Sequence, residues 1–564
     1  MDQMSGADAL VKMLQLYKVS HIFGLCGDTS LPFYDALYRL DHGIKHILTR
    51  DERSASYMAD VYARVSGRVG VCEGPSGGGA TYILPGVAEA NESSIPVLAL
   101  TTDISVSSRG RYTLTELDQE GLFRPVTKFT RMIDRADKLP ETVRAAFTQM
   151  TTGRTGAAHI GVPFDVQTGK VDKSDVWADQ SLGTYPSRRT VPSPEAISTA
   201  ADAILSAQEP MFICGGGPVI SGAEKELCSL AELIEAPVAT SISGQGCIPD
   251  SHPLAAGVVG SNGGTVQTRT LIQGADLIIF AGSRAGSVTT ERRQFPATGA
   301  CRIVHIDVDP SVIGANYETE AALVGDARLC FDALRKEISE RLNAPLARGK
   351  GREAVERAKR EKFAAFRELS ESDDIPIRPE RIVKELQDIL PPDAVIVADP
   401  GTACPYFSAY FQQTETGRHF ITNRAHGALG FSLPGVVGAH FARPQAKCVS
   451  VMGDGSFGFT SGELETIVRL KLPVAMIVIS NNSFGWIKAG QKHGFGKRYF
   501  SVDFSPVNHA KVAEAYGVKA WRVENPVELK AVLSAAVEAG EPTLVDIVTQ
   551  PLHEAKAPVS AWIS

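Results

Sequence analysis

The chain has 564 residues, 43% of them hydrophobic and 21% charged, with a formal net charge of −7. This length exceeds one hydrophobic core and predicts at least three domains. The acidic balance excludes a typical nucleic-acid binder, which carries a basic patch and a high pI. No apolar run reaches the ~20 residues that span a bilayer, and the N-terminus lacks a signal-peptide core, so we expect a cytoplasmic protein without a membrane partner.

Short apolar strands alternate with helical patterns along the whole chain. The strands end in Gly, Asp, Ser or Asn, as in VGVCEG, LIIFAGS, KCVSVMGDG and PVAMIVISNN. This alternation predicts an α/β protein with doubly wound parallel sheets, whose ligands lie beyond the carboxyl ends of the strands. A Pro-, Ser- and Arg-rich stretch at 180–194 and a strongly charged stretch at 347–377 predict three domains, 1–185, 186–345 and 346–564.

The first segment contains an acidic residue, Glu52, after a strand and at the start of a helix that ends in Tyr-Ala-Arg. A Gly-rich loop, GPSGGGAT, follows the next strand. Taken alone, the cluster Asp51-Glu52-Arg53 is typical of a protein surface. An earlier loop reads GDTS, in which Asp28 is placed to cap the helix that follows.

The second segment has Gly-rich strand ends at 214–217, 260–266 and 282–286, and Asp307 on a strand. Such a pattern suits a nucleotide. Bound FAD or ADP is therefore one alternative for this segment, and an empty nucleotide-like domain is the other.

The third segment contains the most specific pattern. The apolar strand 449–452 is followed by the turn GDGS at 453–456, a helix, and a second strand that ends at Asn481. Neighbouring strands thus bring Asp454 and Asn481 to the same edge of a sheet. A carboxylate, an amide oxygen and a main-chain carbonyl suit a hard cation such as Mg²⁺, which takes its other ligands from phosphate and water. The glycines and the helix start after Gly455 favour a diphosphate.

Together these motifs resemble the thiamine-diphosphate (ThDP)-dependent decarboxylase and carboligase family, which includes acetohydroxyacid synthase, pyruvate oxidase, benzaldehyde lyase and 2-hydroxyacyl-CoA lyase. The general pattern is most similar to acetolactate-synthase-like large subunits. The likeness covers essentially the whole chain, in the order pyrimidine-binding, central and diphosphate-binding domain. It implies that Asp454, Asn481 and the carbonyl of Ser483 hold Mg²⁺. It further implies a set of cofactor-binding residues: Gly401, Thr402, Gly453, Gly455, Ser456, Ser483 and Gly485.

The resemblance also assigns Glu52 as the glutamate that activates the cofactor. ThDP becomes a nucleophile when its own 4′-imino nitrogen removes the C2 proton, and a carboxylate bonded to the pyrimidine N1′ favours that imino form. The two groups meet only in a bent cofactor, so a bulky apolar residue must fill the angle. The context Gly-Ala-Leu-Gly predicts Leu429 for that place. Asp28 lies in the loop that the family directs at the substrate, where it would relay protons; helix capping is the alternative.

Departures from the family motifs narrow the range of possible substrates. Residues 114–116 read Leu-Thr-Glu where acetohydroxyacid synthases have Phe-Gln-Glu, and Gly490 stands where they have a specificity tryptophan. One interpretation is an acetolactate-synthase-like decarboxylase or carboligase that acts on a 2-keto acid. A second is a lyase of acyloins (2-hydroxy ketones) or 2-hydroxyacyl-CoA, for which Gly490 would leave room. The third is a non-catalytic ThDP-binding subunit, against which the intact Glu52, Asp454 and Asn481 argue.

The resemblance also predicts the oligomeric state. Glu52 and the diphosphate motif lie in different segments, and in the resembled family such segments meet across a subunit interface. We therefore expect a homodimer or homotetramer with a large apolar interface. The C-terminal sequence HEAKAPVSAWIS is an apolar tail that either covers the active site as a lid or docks on a neighbouring domain.

Overall fold

A computed structural model describes residues 2–342, 345–346 and 350–562. The strands form three six-stranded sheets and one two-stranded antiparallel pair. Every strand pairing within the six-stranded sheets is parallel. The predicted α/β class with three doubly wound domains is therefore confirmed. No helix within the described ranges is long and apolar enough to cross a membrane.

The first sheet has the strand order β3-β2-β4-β5-β7-β6, and β1 pairs with β8. Its central strands are buried along their whole length, as expected for a parallel sheet covered by helices on both faces. The strands are β1 (Gln3–Ser5), β2 (His21–Gly24), β3 (Lys45–Leu48), β4 (Gly70–Gly74), β5 (Val97–Asp103), β6 (Phe129–Met132), β7 (Ala158–Pro163) and β8 (Lys170–Asp172). The helices are α1 (Gly6–Leu16), α2 (Leu31–Arg39), α3 (Glu52–Ser66), α4 (Gly78–Tyr82), α5 (Leu84–Glu92), α6 (Gln119–Phe123), α7 (Leu139–Thr151) and α8 (Phe164–Thr168).

The second sheet has the order β11-β10-β9-β12-β13-β14. Its strands are β9 (Pro210–Cys214), β10 (Val238–Thr240), β11 (Ala255–Val258), β12 (Leu277–Ala281), β13 (Arg302–Asp307) and β14 (Ala321–Val324). Its helices are α9 (Pro194–Ser206), α10 (Gly217–Ser221), α11 (Glu224–Ile234), α12 (Val266–Gly274) and α13 (Ala327–Arg341). The predicted linker ends where Ser193 caps α9.

The third sheet has the order β16-β15-β17-β18-β20-β19. Its strands are β15 (Val395–Ala398), β16 (Phe420–Thr422), β17 (Cys448–Gly453), β18 (Ala475–Ser480), β19 (Lys519–Val523) and β20 (Thr543–Val548). The helices are α14 (Lys350–Ser370), α15 (Pro379–Ile389), α16 (Ala403–Tyr410), α17 (Ser432–Ala442), α18 (Asp454–Thr460), α19 (Leu464–Arg469), α20 (Gly485–Gly494), α21 (His509–Ala515) and α22 (Pro526–Glu538). The charged stretch predicted at 347–377 forms α14, and its first three residues lie outside the described residues.

The first and third sheets in chain order, called the outer sheets below, share one topology. Counted along the chain, the six strands of each have the order 2-1-3-4-6-5, whereas the central sheet has 3-2-1-4-5-6. In each outer sheet the order reverses between the first and third strands, which are β2 and β4 in one and β15 and β17 in the other. Such a switch point opens a crevice at the carboxyl ends of the strands, where α/β proteins bind ligands.

The residues group into two compact units. The first contains residues up to Arg188 together with Asn423–Gln445 and Thr460–Leu472, and the second contains the remainder. The three sheets each lie inside one predicted segment, and the boundaries 1–185, 186–345 and 346–564 stay a prediction. Two pieces of the third segment thus belong to the compact unit built around the first sheet.

Within the first unit, α17 packs closely against α3. A Cβ atom on Gly438 would lie 2.2 Å from the carbonyl oxygen of Met58. Only glycine lets the two helix backbones approach this closely. The packing fixes the loop before α17, which carries Leu429, on the helix that begins at Glu52.

Candidate active site

Asp454 stands at the switch point of the third sheet, directly after β17. Its Oδ2 atom accepts backbone hydrogen bonds from Asn481 at 2.9 Å and Asn482 at 2.5 Å, and its Oδ1 atom accepts one from Gly455 at 2.9 Å. Burial raises the pKa of the Asp454 carboxyl, whereas these three N–H groups lower it. The donors hold the carboxylate in one orientation at the edge of the sheet.

Asn481 and Ser483 follow the neighbouring strand, β18. The hydroxyl of Ser483 donates to Asn481 Oδ1 at 3.1 Å, and Asn481 Nδ2 is buried without a partner among the described residues. Asn482 has a φ of +56°, and this left-handed turn places two successive N–H groups on Asp454. The carboxylate, the amide oxygen and the adjoining main-chain carbonyl form a set of hard oxygen donors that fits Mg²⁺.

Three further predicted residues lie around this cluster. A Cβ atom on Gly485 would lie 3.5 Å from Thr402 Oγ1 and 3.4 Å from Asn481 Nδ2, and one on Gly453 would lie 3.7 Å from Thr402 Oγ1. Thr402 follows the first strand of the sheet and Gly453 ends the third. The structure therefore brings both sides of the switch point together around Asn481.

The other predicted cofactor residues differ in how closely the protein packs around them. A Cβ atom on Gly455 would lie 2.9 Å from the ring of Phe484, so glycine is required there by the protein's own packing. A Cβ atom on Gly401 would meet nothing within 4 Å. Ser456 is buried on the first turn of α18. Their assignment to a cofactor stays a prediction.

A buried network supports the strand that leads to Asn481, and the sequence analysis missed it. Asp546 on β20 accepts hydrogen bonds from Ser480 Oγ at 2.5 Å, the His509 N–H at 3.0 Å and Arg522 Nη1 at 2.7 Å. Although burial raises it, the side chains of His509 and Ser480 hold the pKa of Asp546 below its usual value. An aspartate inside the apolar strand TLVDIV was the available signal, because such a charge needs partners.

Glu52 is the first residue of α3 and is 8% exposed. Asp51 caps the helix by accepting hydrogen bonds from the Arg53 backbone at 2.7 Å and side chain at 2.9 Å. The surface charge pair is therefore formed by Asp51 and Arg53. Burial raises the pKa of Glu52, its own backbone N–H lowers it, and the charge of Asp51 raises it.

A second buried glutamate, also missed from the sequence, positions the loop that carries Leu429. The carboxylate of Glu89 accepts backbone hydrogen bonds from residues 425–427 at 2.7 to 3.4 Å and pairs with Arg64 at 3.2 Å. Gly430, after Leu429, has a φ of +82°, which favours glycine. The glutamate in the helical pattern LPGVAEANE was a weak signal, since it gives no sign of burial.

Asp28 occupies the first position of a short 3₁₀ turn ahead of α2 and is exposed. Its Oδ1 atom accepts a hydrogen bond from the Thr29 backbone at 2.8 Å. Asp28 therefore does not cap α2, whose first residue is Leu31. The proton-relay role stays a prediction.

Hydroxyl groups line the carboxyl edge of the first sheet. Thr29 Oγ1 lies 2.8 Å from Thr102 Oγ1 and 3.2 Å from Ser76 Oγ, and Ser76 Oγ lies 2.7 Å from Thr115 Oγ1. These residues come from four separate loops or strand ends. This row of hydrogen-bonded hydroxyl groups includes Thr115, which belongs to the motif that departs from the acetohydroxyacid synthase pattern.

The Gly-rich strand ends of the central domain serve its own packing. A Cβ atom on Gly215 would lie 2.1 Å from the Gly282 carbonyl oxygen, and one on Gly217 would lie 2.6 Å from Gly282 Cα. Asp307 accepts a hydrogen bond from the Asp309 backbone at 2.9 Å. Contact between two backbone turns thus explains Gly215, Gly217 and Gly282, and bound FAD or ADP stays a prediction.

The C-terminal tail docks within the second unit. Ser560 donates to the Ser261 carbonyl at 3.0 Å, and the ring centroid of Trp562 lies 5.0 Å from that of Trp486 on α20. A Cβ atom on Gly490 would lie 3.3 Å from the Trp562 carbonyl oxygen. Docking is thus the observed arrangement. The space at Gly490, which we interpreted as room for a larger substrate, is taken by the main chain of the tail.

Comparison with known proteins gives matches along the whole chain. The family profile described as "Thiamine pyrophosphate enzyme, N-terminal TPP binding domain" matches residues 4–122. The corresponding "central domain" matches 197–334, and the "C-terminal TPP binding domain" matches 399–547.

Individual relatives agree with these profiles. The chain is 37% identical over 561 residues to the probable acetolactate synthase large subunit of Methanococcus aeolicus, covering 97% of this chain and 92% of the relative. It is 39% identical over 560 residues to the probable acetolactate synthase large subunit of Methanocaldococcus jannaschii, with the same coverage. Identity to the acetolactate synthase isozyme 3 large subunit of Escherichia coli K12 is 30% over 542 residues, covering 95% and 93%.

Proposed function

The chain belongs to the thiamine pyrophosphate enzyme family and is a ThDP-dependent enzyme of the carboligase or lyase type, and on that premise we propose that it acts as an acetolactate synthase. In this reaction one 2-keto acid loses CO₂, and its acyl carbon forms a bond with the carbonyl carbon of a second 2-keto acid. With pyruvate as both substrates, two three-carbon acids give one five-carbon acid and CO₂.

The observation that carries the proposal is the oriented acid at the switch point of the third sheet. Asp454 receives three backbone N–H groups and stands beside the amide of Asn481. Asp454, Asn481 and the Ser483 carbonyl would hold Mg²⁺, and the nearby glycines with Thr402 would admit the diphosphate. No metal-binding role is needed elsewhere in this proposal.

Glu52 and Leu429 would act on the thiamine part of the cofactor. Thiamine diphosphate, when bound, supplies the nucleophilic carbon and the electron sink for the reaction. Glu52 would hold the pyrimidine ring through a charge-assisted hydrogen bond, and Leu429 would support the bend. Both residues lie on segments fixed by the packing of α17 on α3 and by Glu89. These contacts favour an enzyme with a preorganised site.

Activity assays test the proposal directly. The purified protein with ThDP and Mg²⁺ should consume pyruvate and release CO₂ and 2-acetolactate in equal amounts. Acyloins and a 2-hydroxyacyl-CoA should be cleaved far more slowly, since the tail occupies the space at Gly490. Cleavage of those compounds without carbon–carbon bond formation from any 2-keto acid would favour the lyase alternative instead.

We further propose that the working protein is a homodimer or homotetramer. Its support is the membership in a family in which first- and third-segment residues meet across an interface. Sedimentation should give at least twice the chain mass of 60.3 kDa. An active species of one chain mass would contradict this assembly.

A further inference from the structure

Glu73 is a second buried acid of the first unit, and its carboxyl group lies within electrostatic reach of Glu52. It lies on β4 with no exposed surface and pairs in register with Gly24 on β2, at the switch point of the first sheet. A Cβ atom on Gly24 would lie 2.7 Å from Glu73 Oε2 and 3.0 Å from Glu73 Cβ. The sheet therefore accommodates this carboxyl group only because its neighbour has no side chain.

Only one of the two carboxyl oxygens of Glu73 accepts a hydrogen bond from the described residues, and its donor is a hydroxyl group. Tyr34 Oη donates to Glu73 Oε2 at 2.7 Å and lies 2.9 Å from His46 Nε2. Glu73 Oε1 is buried and makes no hydrogen bond of good geometry with the described residues. Because Tyr34 already donates to Oε2, a proton on the carboxyl group would sit on Oε1.

The charges around Glu73 do not compensate a negative charge. Among the residues that the structure describes, no Lys, Arg or His forms an ion pair with it. The titratable groups that act on Glu73 are Glu52, Tyr34 and the thiol of Cys72, while His46 and Cys26 act on Tyr34. Burial lowers the pKa of His46 to about 4, so this ring is neutral at pH 7. Burial, the largest influence, raises the pKa of Glu73 to about 8; Tyr34 and Ser30 lower it, and Glu52 raises it further.

Glu89, a buried carboxyl group in the same unit, has partners that compensate a negative charge. It pairs with Arg64 and accepts backbone N–H groups from residues 425–427. Within the described ranges, Glu73 has neither an arginine partner nor a backbone N–H donor. Buried acids without such compensation keep their proton, and two adjacent acids do not both ionise readily.

We propose that Glu73 stays protonated while Glu52 is ionised. The two glutamates then carry one negative charge together, and that charge lies on Glu52. Glu73 is then a positioning residue, which acts on the cofactor through Glu52. The inference rests on the proposed role of Glu52. Ionisation of Glu73 at alkaline pH would add a second negative charge, which would repel the charge on Glu52.

Infrared spectroscopy of the protein without cofactor tests the proton itself. The wild type at about pH 6 should show a protonated-carboxyl band that Glu73→Gln lacks, and raising the pH should remove the band with a midpoint near 8. Tyr34→Phe should raise that midpoint, since it removes a donor that favours the charged form. Absence of a Glu73-dependent band at pH 6 overturns the proposal.

The loaded enzyme gives a second readout. Wild-type kcat should fall above about pH 8, and Glu73→Gln should move this alkaline limb upward by at least about one pH unit because glutamine does not ionise. A purely structural role for Glu73 would leave the limb where it is, and that result overturns the proposal. Normal C2 exchange in Glu52→Gln, with the infrared band still present, would instead contradict the role of Glu52.

Discussion

At the end of the third strand of each outer sheet stands a buried acid: Glu73 on β4 and Asp454 directly after β17. The two sheets have the same strand order, so both acids lie close to the carboxyl end of the corresponding third strand. Asp454 receives three backbone N–H groups, two of them from the turn after the neighbouring strand. Glu73 accepts a hydrogen bond from the Tyr34 hydroxyl, and its other oxygen has no partner in the part of the chain that the structure describes.

This difference shows that the same strand order can hold a buried acid with backbone N–H donors and a buried acid without them. The left-handed residue Asn482 directs N–H groups at Asp454, and such donors stabilise a carboxylate that can bind a cation. The corresponding edge of the first sheet offers neutral hydroxyl groups and a second carboxyl group, Glu52. The first edge is suited to holding protons and the second to holding a metal and phosphates.

The largest expected effect comes from removing the charged acid. Asp454→Ala should weaken Mg²⁺-dependent binding of ThDP by at least about 100-fold, because it leaves the donors of Asn481 and Asn482 unpaired and removes a metal ligand. Titration calorimetry measures this. The exposed acid Asp393, altered to Ala in the same domain, is the matched control and should bind as the wild type does. Unchanged affinity in Asp454→Ala would mean that the metal site lies elsewhere.

Glu52→Gln should act on activation and spare binding. ThDP should stay bound, whereas deuterium exchange at its C2 position should slow by roughly 10²–10³-fold, because a positioned charge is lost. Acid quenching followed by NMR gives the exchange rate. The control Asp51→Asn removes the neighbouring charge and weakens the helix cap but keeps the Glu52 carboxyl group, and it should keep fast exchange. Fast exchange in Glu52→Gln would show that another acid activates the cofactor.

Replacing the proton-holding acid should change how stability depends on pH. The folded-state pKa of Glu73, about 8, exceeds that of an unfolded glutamate, so its favourable contribution is complete below about pH 4 and disappears as pH rises through 8. Glu73→Gln does not titrate. Its stability relative to the wild type should increase between about pH 5 and pH 9 by roughly 3 kcal/mol, measured by urea denaturation. A difference that does not vary with pH would show that Glu73 is ionised throughout.

Two glycines offer the smallest and most direct comparison of the two switch points. Gly24→Ala forces a methyl group against Glu73 and should cost about 1–3 kcal/mol of stability. Gly453→Ala places its methyl group 3.7 Å from Thr402 and should change stability by less than about 1 kcal/mol, while still reducing ThDP affinity. Thermal unfolding of both variants without cofactor measures the costs. Equal costs would mean that the two crevices are equally filled by protein.

Much of this arrangement could be predicted from short-range pattern. Apolar runs with polar ends predicted parallel strands. The strand–helix–strand pattern that joins Asp454 to Asn481 predicted adjacent strand ends, and its helical part forms α18 and α19. Glu52 was identified through its resemblance to a family motif, since the charged neighbours Asp51 and Arg53 conceal its burial. Gly490 was misjudged, because the residue that fills its space is the distant Trp562.

The sequence by itself determined the α/β class, the three sheets and the pairing of Asp454 with Asn481, because strand alternation and one helical crossover are local features that carry their geometry with them. Only the tertiary structure decided that Glu73 is enclosed beside Glu52 and that Glu89 supports the loop of Leu429. Those outcomes depend on which side chains distant in sequence come into contact. A glutamate in a strand or helix has the same local pattern whether its partner is water, an arginine or another acid, and only packing distinguishes these cases.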